Sequence, residues 1–167
     1  MRDEDIDRRP SLIGVVAGTF AAFAVGVMFA QYALVVVIPV GIGLVAILLG
    51  GWRGMHSIMF MGIVMLIISI LMAGLYNYPV STLLAAGVLT VVAWDMFDNG
   101  FSIGRQIGRE VDTRRVEFLH GGATLLGGTI TAAVIYGVYV LSPPGWPLQA
   151  LILAMLAALF LLVALEL

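Results

Sequence analysis

The chain has 167 residues, 62% of them hydrophobic and 11% charged, with a mean hydropathy of +1.11 and a formal net charge of −2. Soluble domains carry roughly a quarter charged residues, so an ordinary water-soluble fold is excluded, and one polar loop and a short tail are all that fit outside a bilayer. With no cysteine in the chain, disulfide frameworks, thiol nucleophiles and thiolate-bound metals are excluded as well.

The first segment, "MRDEDIDRRPS", is a charged tail over residues 1–11. It lacks a basic stretch leading to a small-residue cleavage site, so the apolar run that follows is expected to be a retained span and not a signal peptide. A hydrocarbon core about 30 Å thick needs roughly 20 apolar residues per helix. Leu12 to Gly50 is uncharged throughout and far too long for one span. It must turn back, and Gln31-Tyr32 is the most polar place to do so, which predicts spans at 12–30 and 33–50. "GWRGMHS" (51–57) is a loop, and the third span covers 58–76, closed by "YNYP". The fourth covers 80–98 and the fifth 118–141. "SPPGWP" (142–147) breaks the chain, because proline cannot continue a helix and Pro-Gly marks a turn. A sixth span follows at 148–165. The expected fold class is an all-α polytopic membrane protein, a single domain of six transmembrane helices arranged as three antiparallel hairpins.

Orientation follows from arginine, since all the basic residues are Arg and none is Lys. Six spans put Arg2, Arg8, Arg9, Arg53, Arg105, Arg109, Arg114 and Arg115 on one side, which the positive-inside rule makes cytoplasmic, with both termini inside. Tyr32, Tyr76, Tyr78, Tyr136, Tyr139 and Trp146 fall at the opposite face, where amphipathic rings favour the headgroup level. The expected location is the cytoplasmic membrane. The outer loops are short and uncharged, so any polar function belongs to the arginine side.

That function points to "VVAWDMFDNGFSIGRQIGREVDTRRVEFLHGG" (91–122). At helical spacing Phe97, Phe101, Ile107 and Val111 approximate an apolar stripe, and Asp95, Asn99, Ser102, Gln106 and Arg109 a polar one. Glu110 and Arg114 stand four apart in the favoured acid-before-base order, and Asp112 or Thr113 suits a helix N-cap. The fourth span is therefore expected to run on toward residue 109 and the fifth to begin near 113, making a cytoplasmic helical hairpin over about 95–120. Gly100, Gly104 and Gly108 weaken a helix, yet at every fourth position they also form a smooth face for another helix.

Asp95 and Asp98 admit two readings. As interfacial carboxylates they would pair with Arg53, Arg105 or Arg109. As ionisable groups near membrane depth they would form a proton or cation site, but no second carboxylate stands inside another expected span to build a relay. His56 and His120 would join a metal site only if brought beside these aspartates. The run "DMFDNGFSIGRQIGREVD" is similar in part to the metal-binding pattern of the CDP-alcohol phosphatidyltransferases, whose carboxylates hold divalent ions that polarise a diphosphate. It departs from that pattern at three places. Asn99 separates Asp98 from Gly100, only Gln106 and Ile107 separate Arg105 from Gly108, and no aspartate follows Asp112 at four. No catalytic residue, metal or cofactor is assigned.

Helix packing is expected along small-residue stripes at every fourth position: Gly14, Gly18, Ala22 and Gly26 in the first span, and Thr124, Gly128 and Ala132 in the fifth. The sixth span, rich in Leu and Ala, is expected to face lipid.

Residues 94–120, "WDMFDNGFSIGRQIGREVDTRRVEFLH", resemble the signature of a family of small haloarchaeal multi-pass membrane proteins of unknown function. A Trp-Asp closes one span there, and a Gly-Arg-Glu and a Glu-x-x-His lead into the next, here Gly108-Arg109-Glu110 and Glu117 to His120. Genes of that family typically neighbour MoxR-type AAA+ ATPases and von Willebrand-A-like proteins. The resemblance implies a membrane partner of an ATPase-linked assembly and brings no activity or site residues. The leading expectation is a non-enzymatic subunit or docking platform. Its partner-docking residues would be Asp95, Asp98, Arg105, Arg109, Glu110, Arg114, Arg115, Glu117 and His120. A small transporter or ion channel using Asp95 and Asp98 is the alternative, and a metal-dependent membrane phosphotransferase the third. Expected partners are membrane lipid and other membrane or cytoplasmic subunits, with a MoxR-type ATPase system and a second copy of the chain as candidates. No nucleic-acid partner is expected.

Overall fold

The fold is known from a computed structural model that describes residues 9–108 and 112–142. They form five helices: α1 (Leu12–Phe29), α2 (Leu34–Arg53), α3 (His56–Leu75), α4 (Val80–Gln106) and α5 (Arg114–Leu141). All five are long and apolar enough to cross a membrane, and no strand occurs among the described residues. The expected sixth span at 148–165 lies outside the described residues, as does the breaker "PPGWP".

Local chemistry sets the helix ends. Ser11 caps α1, its Oγ accepting the Gly14 N–H at 3.0 Å. Gly54 (φ 70°) ends α2 and Gly108 (φ 85°) follows the end of α4, a left-handed conformation that a side chain disfavours. The first reversal occupies residues 30–33 without Gly or Pro. A tertiary contact takes their place. The Tyr32 and Tyr78 rings lie 4.0 Å apart, and Tyr78 Oη accepts the Ala33 N–H at 3.2 Å.

The helices do not pack as sequential hairpins. α2 lies most closely on α3, α1 packs more closely on α4 than on α2, and α4 also carries α5. Glycine is the reason. A Cβ on Gly14 would sit 2.6 Å from the Met96 carbonyl oxygen and 2.8 Å from Gly100 Cα, and one on Gly18 would sit 2.7 Å from the Phe97 ring. A Cβ on Gly104 would collide with the Arg9 carbonyl. Gly26 instead faces α2, where a Cβ would meet Leu44 at 2.8 Å. The α2–α3 contact is built the same way, Gly43 and Gly62 each facing the other's carbonyl. Between these seams Val25, Phe29, Ile47, Met59, Leu66 and Phe97 are fully buried.

Two ends result. Tyr32 and Tyr78 mark one. Arg9, Arg53, Arg105, Arg114 and Arg115 belong to the other, where the N-termini of α1, α3 and α5 meet the C-termini of α2 and α4. α1, with 18 residues, is about 27 Å long at about 1.5 Å per residue. α4 and α5, with 27 and 28 residues, each exceed 40 Å by the same rule. At the charged end α4 passes the start of α1 at Gly100, whose carbonyl accepts the Ser11 N–H at 2.9 Å. It then continues to Gln106, where the helix stops three residues short of the expected 109. Because the helix stops there, Ile107 is half exposed and does not extend the buried stripe of Phe97 and Phe101. Val111 lies outside the described residues.

The glycine seam makes a prediction. Gly14→Leu forces a side chain into the α4 backbone and should cost about 1–3 kcal/mol or more, as overpacking does. Gly87→Leu, at a helical site with nothing within 4 Å of its Cβ, should stay within about 0.5 kcal/mol of the parent. Thermal unfolding in mild detergent would read both. Equal melting temperatures would refute the seam.

Candidate functional site

The polar residues of the charged end fall into three groups, each set by a helix start or stop. The first centres on Glu117, which is 0% exposed. α5 begins at Arg114, four residues before the expected span, so Glu117 stands in the first turn of a helix that packs on α4. Its Oε2 accepts the Ser11 hydroxyl at 2.5 Å and its Oε1 the Thr113 hydroxyl at 2.5 Å. Ser11 is itself tied to Gly14 and Gly100. One carboxylate thus joins the start of α1, the α4 backbone and the start of α5. Thr113 occupies the N-cap position of α5 but spends its hydroxyl on Glu117, while Asp112 Oδ1 accepts the Arg114 N–H at 3.3 Å.

The second group is one helical turn deeper. Asp95 of α4 receives Thr124 Oγ1 at 2.6 Å and His120 Nε2 at 3.0 Å, both from α5. The third lies on the far side of α4, where His56 Nε2 stands 3.2 Å from Asp98 and the His56 ring meets Phe101 edge-on at 5.2 Å. The aspartates therefore pair with His120 and His56, and not with Arg53 or Arg105. Histidine wins because α3 and α5 start beside α4 and carry His56 and His120 in or near their first turns, while Arg53 and Arg105 sit exposed in the last turns of α2 and α4. An arginine partner from position 109 lies outside the described residues. The two His–Asp pairs are separate, and among the described residues no group of three or more His, Asp or Glu can hold a metal ion. Asp112, the third carboxylate of the phosphotransferase pattern, is exposed and bonded to Arg114. Asn99, one turn after Asp95, has a buried Nδ2 with no partner.

What remains outward is the hairpin tip. Arg105, Gln106, Asp112, Arg114 and Arg115 are exposed, with Gln106 Nε2 bonded to Ser102 at 2.9 Å. Arg109 and Glu110 lie outside the described residues. Glu117 and Asp95, expected on the same surface, turn inward against α1 and α5. Asp98 and His120 are partly exposed. Of the fifth-span stripe, Thr124 serves Asp95, Gly128 faces Val88, and Ala132 lines the shallow groove between α4 and α5. Ser11 is the residue that sequence reasoning missed. Its place before an apolar run marks an N-cap, but nothing along the chain links it to Glu117, 106 positions away.

Residues 8–162 match DUF7519, described as a family of unknown function. Neither a curated protein nor a solved structure matches the chain.

The Glu117 group should act as a unit. Ser11→Ala and Glu117→Ala should each destabilise by about 1–3 kcal/mol, because each leaves a buried polar partner unmatched. The double variant should lose clearly less than the sum, with a coupling of about 0.5–3 kcal/mol. His56→Ala, which breaks a half-exposed pair, should cost less, since exposed ion pairs contribute about 0–1 kcal/mol. A thermodynamic cycle in detergent measures this. Strict additivity of the first two would show that the carboxylate does not link the helices.

Proposed function

The chain belongs to DUF7519, a family of unknown function, and we propose that it is a non-enzymatic membrane subunit that offers the α4–α5 hairpin to a protein partner. One observation carries this reading. α4 and α5 run about 10 Å further than a hydrocarbon core of about 30 Å requires, and the buried Glu117 group braces them at the level where α1 begins. A hairpin held from within presents its outer side chains in a fixed arrangement, which lowers the ordering cost of association. Those side chains carry both signs: Arg105, Arg114 and Arg115 with Asp112, and by sequence Arg109 and Glu110. A surface made for anionic lipid would gain from basic residues alone, whereas interspersed charge suits a partner with a complementary pattern.

The proposal extends to topology. Six spans with both termini in the cytoplasm set the hairpin facing the cytoplasm, as the arginine asymmetry requires. It extends also to context. The resemblance drawn from residues 94–120 supports a haloarchaeal cell membrane and a MoxR-type ATPase system as the partner. A second reading, a small transporter or ion channel, is supported by the buried, unpartnered Asn99 amide one turn from Asp95. Proton or sodium flux in reconstituted vesicles, abolished by Asp95→Asn, would favour it.

Because the chain has no cysteine, single cysteines report topology cleanly. Replacements at Tyr78 and Pro144 should label from outside intact cells, and one at Thr113 only after permeabilisation. External labelling at 113 would reverse the orientation. The docking reading is tested by reversing Arg109 and Arg114 to Glu. The variant should insert and melt like the parent yet lose the partner that co-purifies with the native chain. Retention of every partner by the double reversal would end the docking reading.

A further inference from the structure

We propose that the groove between α4 and α5 is the seat of the chain's own segment 148–165, packed antiparallel to α5 through its alanines. The proposal rests on the six-span topology given above, and the segment itself lies outside the described residues. α5 is the least covered of the five helices. Of its 28 residues only Glu117 and Ile135 are buried, whereas α4 buries eight of 27 and α1 six of 18. Among the described helices it packs on α4 and touches α1 only sparingly. The groove beside it encloses about 470 Å³, between Ser81, Ala85 and Val88 of α4 and Thr129, Ala132 and Ala133 of α5. Among the described residues no charged side chain lines it.

The connector commits the groove to this occupant. α5 ends at Leu141 and is followed by Ser142, and only "PPGWP" separates that residue from Leu148. Six steps of chain span at most about 20 Å, and connections of about 2–8 residues join helices that lie side by side and antiparallel. The groove opens at that same end. Ser81 is the second residue of α4, and Tyr136, on the opposite wall, stands five residues before the end of α5. Length and chemistry agree with the connector. Residues 148–165 number 18, as many as α1, which makes about 27 Å of helix. They carry no charge, and their one polar side chain, Gln149, falls at the tyrosine end. Counted back from the middle of the connector, Ala150, Ala154 and Ala157 come about level with Tyr139, Ile135 and Ala132. Those three alanines share a helix face, and small residues on facing helices allow the close approach on which packing in lipid depends. A second copy of the chain would have to displace a segment tethered at roughly millimolar effective concentration. With the segment seated, the α4–α5 hairpin is braced along its membrane length as well as at Glu117.

Engineered cysteine pairs in the full chain test this in membranes, free of any native thiol. Ala133→Cys is combined in turn with Ala154→Cys and Ala157→Cys. Val134→Cys, at the adjoining position but turned away from the groove and 61% exposed, replaces Ala133→Cys as the control. Mild oxidation joins cysteines whose Cα atoms lie within about 7 Å. At least one Ala133→Cys pair should therefore close within a single chain, several-fold faster than the matching Val134→Cys pair. A second measurement needs no disulfide geometry. Ala133 is exposed on α5, yet Ala133→Cys alone should react with a lipid-soluble maleimide several-fold more slowly than Val134→Cys. Adding Ala157→Leu, which pushes the segment off the groove, should remove that protection. Glu166→Cys reports the topology separately and should react with an impermeant maleimide only after permeabilisation. Its labelling from outside intact cells would sink the six-span topology and the packing with it. Labelling from inside, with neither closure nor protection at Ala133, would sink the packing alone. Dimers joined through Ala133→Cys would overturn the proposal by assigning the groove to a second copy, and equal reactivity at Ala133 and Val134 by assigning it to lipid.

Discussion

Where α1 crosses α4, backbone meets backbone at Gly14 and Gly100, and the rest of the charged end is arranged around that crossing. In lipid no hydrophobic force distinguishes a helix neighbour from an acyl chain, so association depends on close packing and on polar contacts between helices. Gly14, Gly18, Gly100 and Gly104 supply the first. By admitting the α1 N-terminus to the α4 backbone they also create the second, because the Ser11 N–H then reaches the Gly100 carbonyl at 2.9 Å.

Glu117 depends on the same geometry. A carboxylate removed from water carries a large desolvation cost unless its oxygens are hydrogen-bonded. Ser11 and Thr113 meet that demand, and Ser11 is within reach only because α1 lies against α4. α1 touches α5 only sparingly, so the Ser11–Glu117 bond is the main polar link between the two. Helix packing, capping and burial of charge converge on one group, which makes the base of the hairpin its most constrained part while the tip stays exposed.

The two His–Asp pairs tie the helices in another way. Asp95 draws α5 to α4 through His120 and Thr124, and Asp98 draws α3 to α4 through His56. α4 thereby holds α1 through glycine, α5 through Asp95 and Glu117's neighbours, and α3 through Asp98 and its aromatic flank of Trp94 and Phe101. Arg53, Arg105 and Arg115 stay exposed. Exposed charge attached to a braced scaffold is what a docking surface needs.

The five described helices were legible in the chain because a membrane span is a local property: apolar run length, loop punctuation and the position of arginine and tyrosine are read one segment at a time. The small-residue stripes were legible for the same reason, as every fourth residue of a helix shares a face. Their partners were not. Gly14 and Gly18 are as compatible with α2 as with α4 in sequence, and only the three-dimensional packing assigned them to α4 and Gly26 to α2. Likewise, charge alone favoured arginine as the partner of Asp95 and Asp98, but a salt bridge depends on which helix ends meet. α3 and α5 begin beside α4, so histidine fills that place. The sequence by itself thus determined that the chain carries a series of membrane-length helices, with the described arginines gathered at one end of them. Tertiary structure alone decided which helices touch, and with that which carboxylates are buried, because contacts between distant segments leave no periodic trace along the chain.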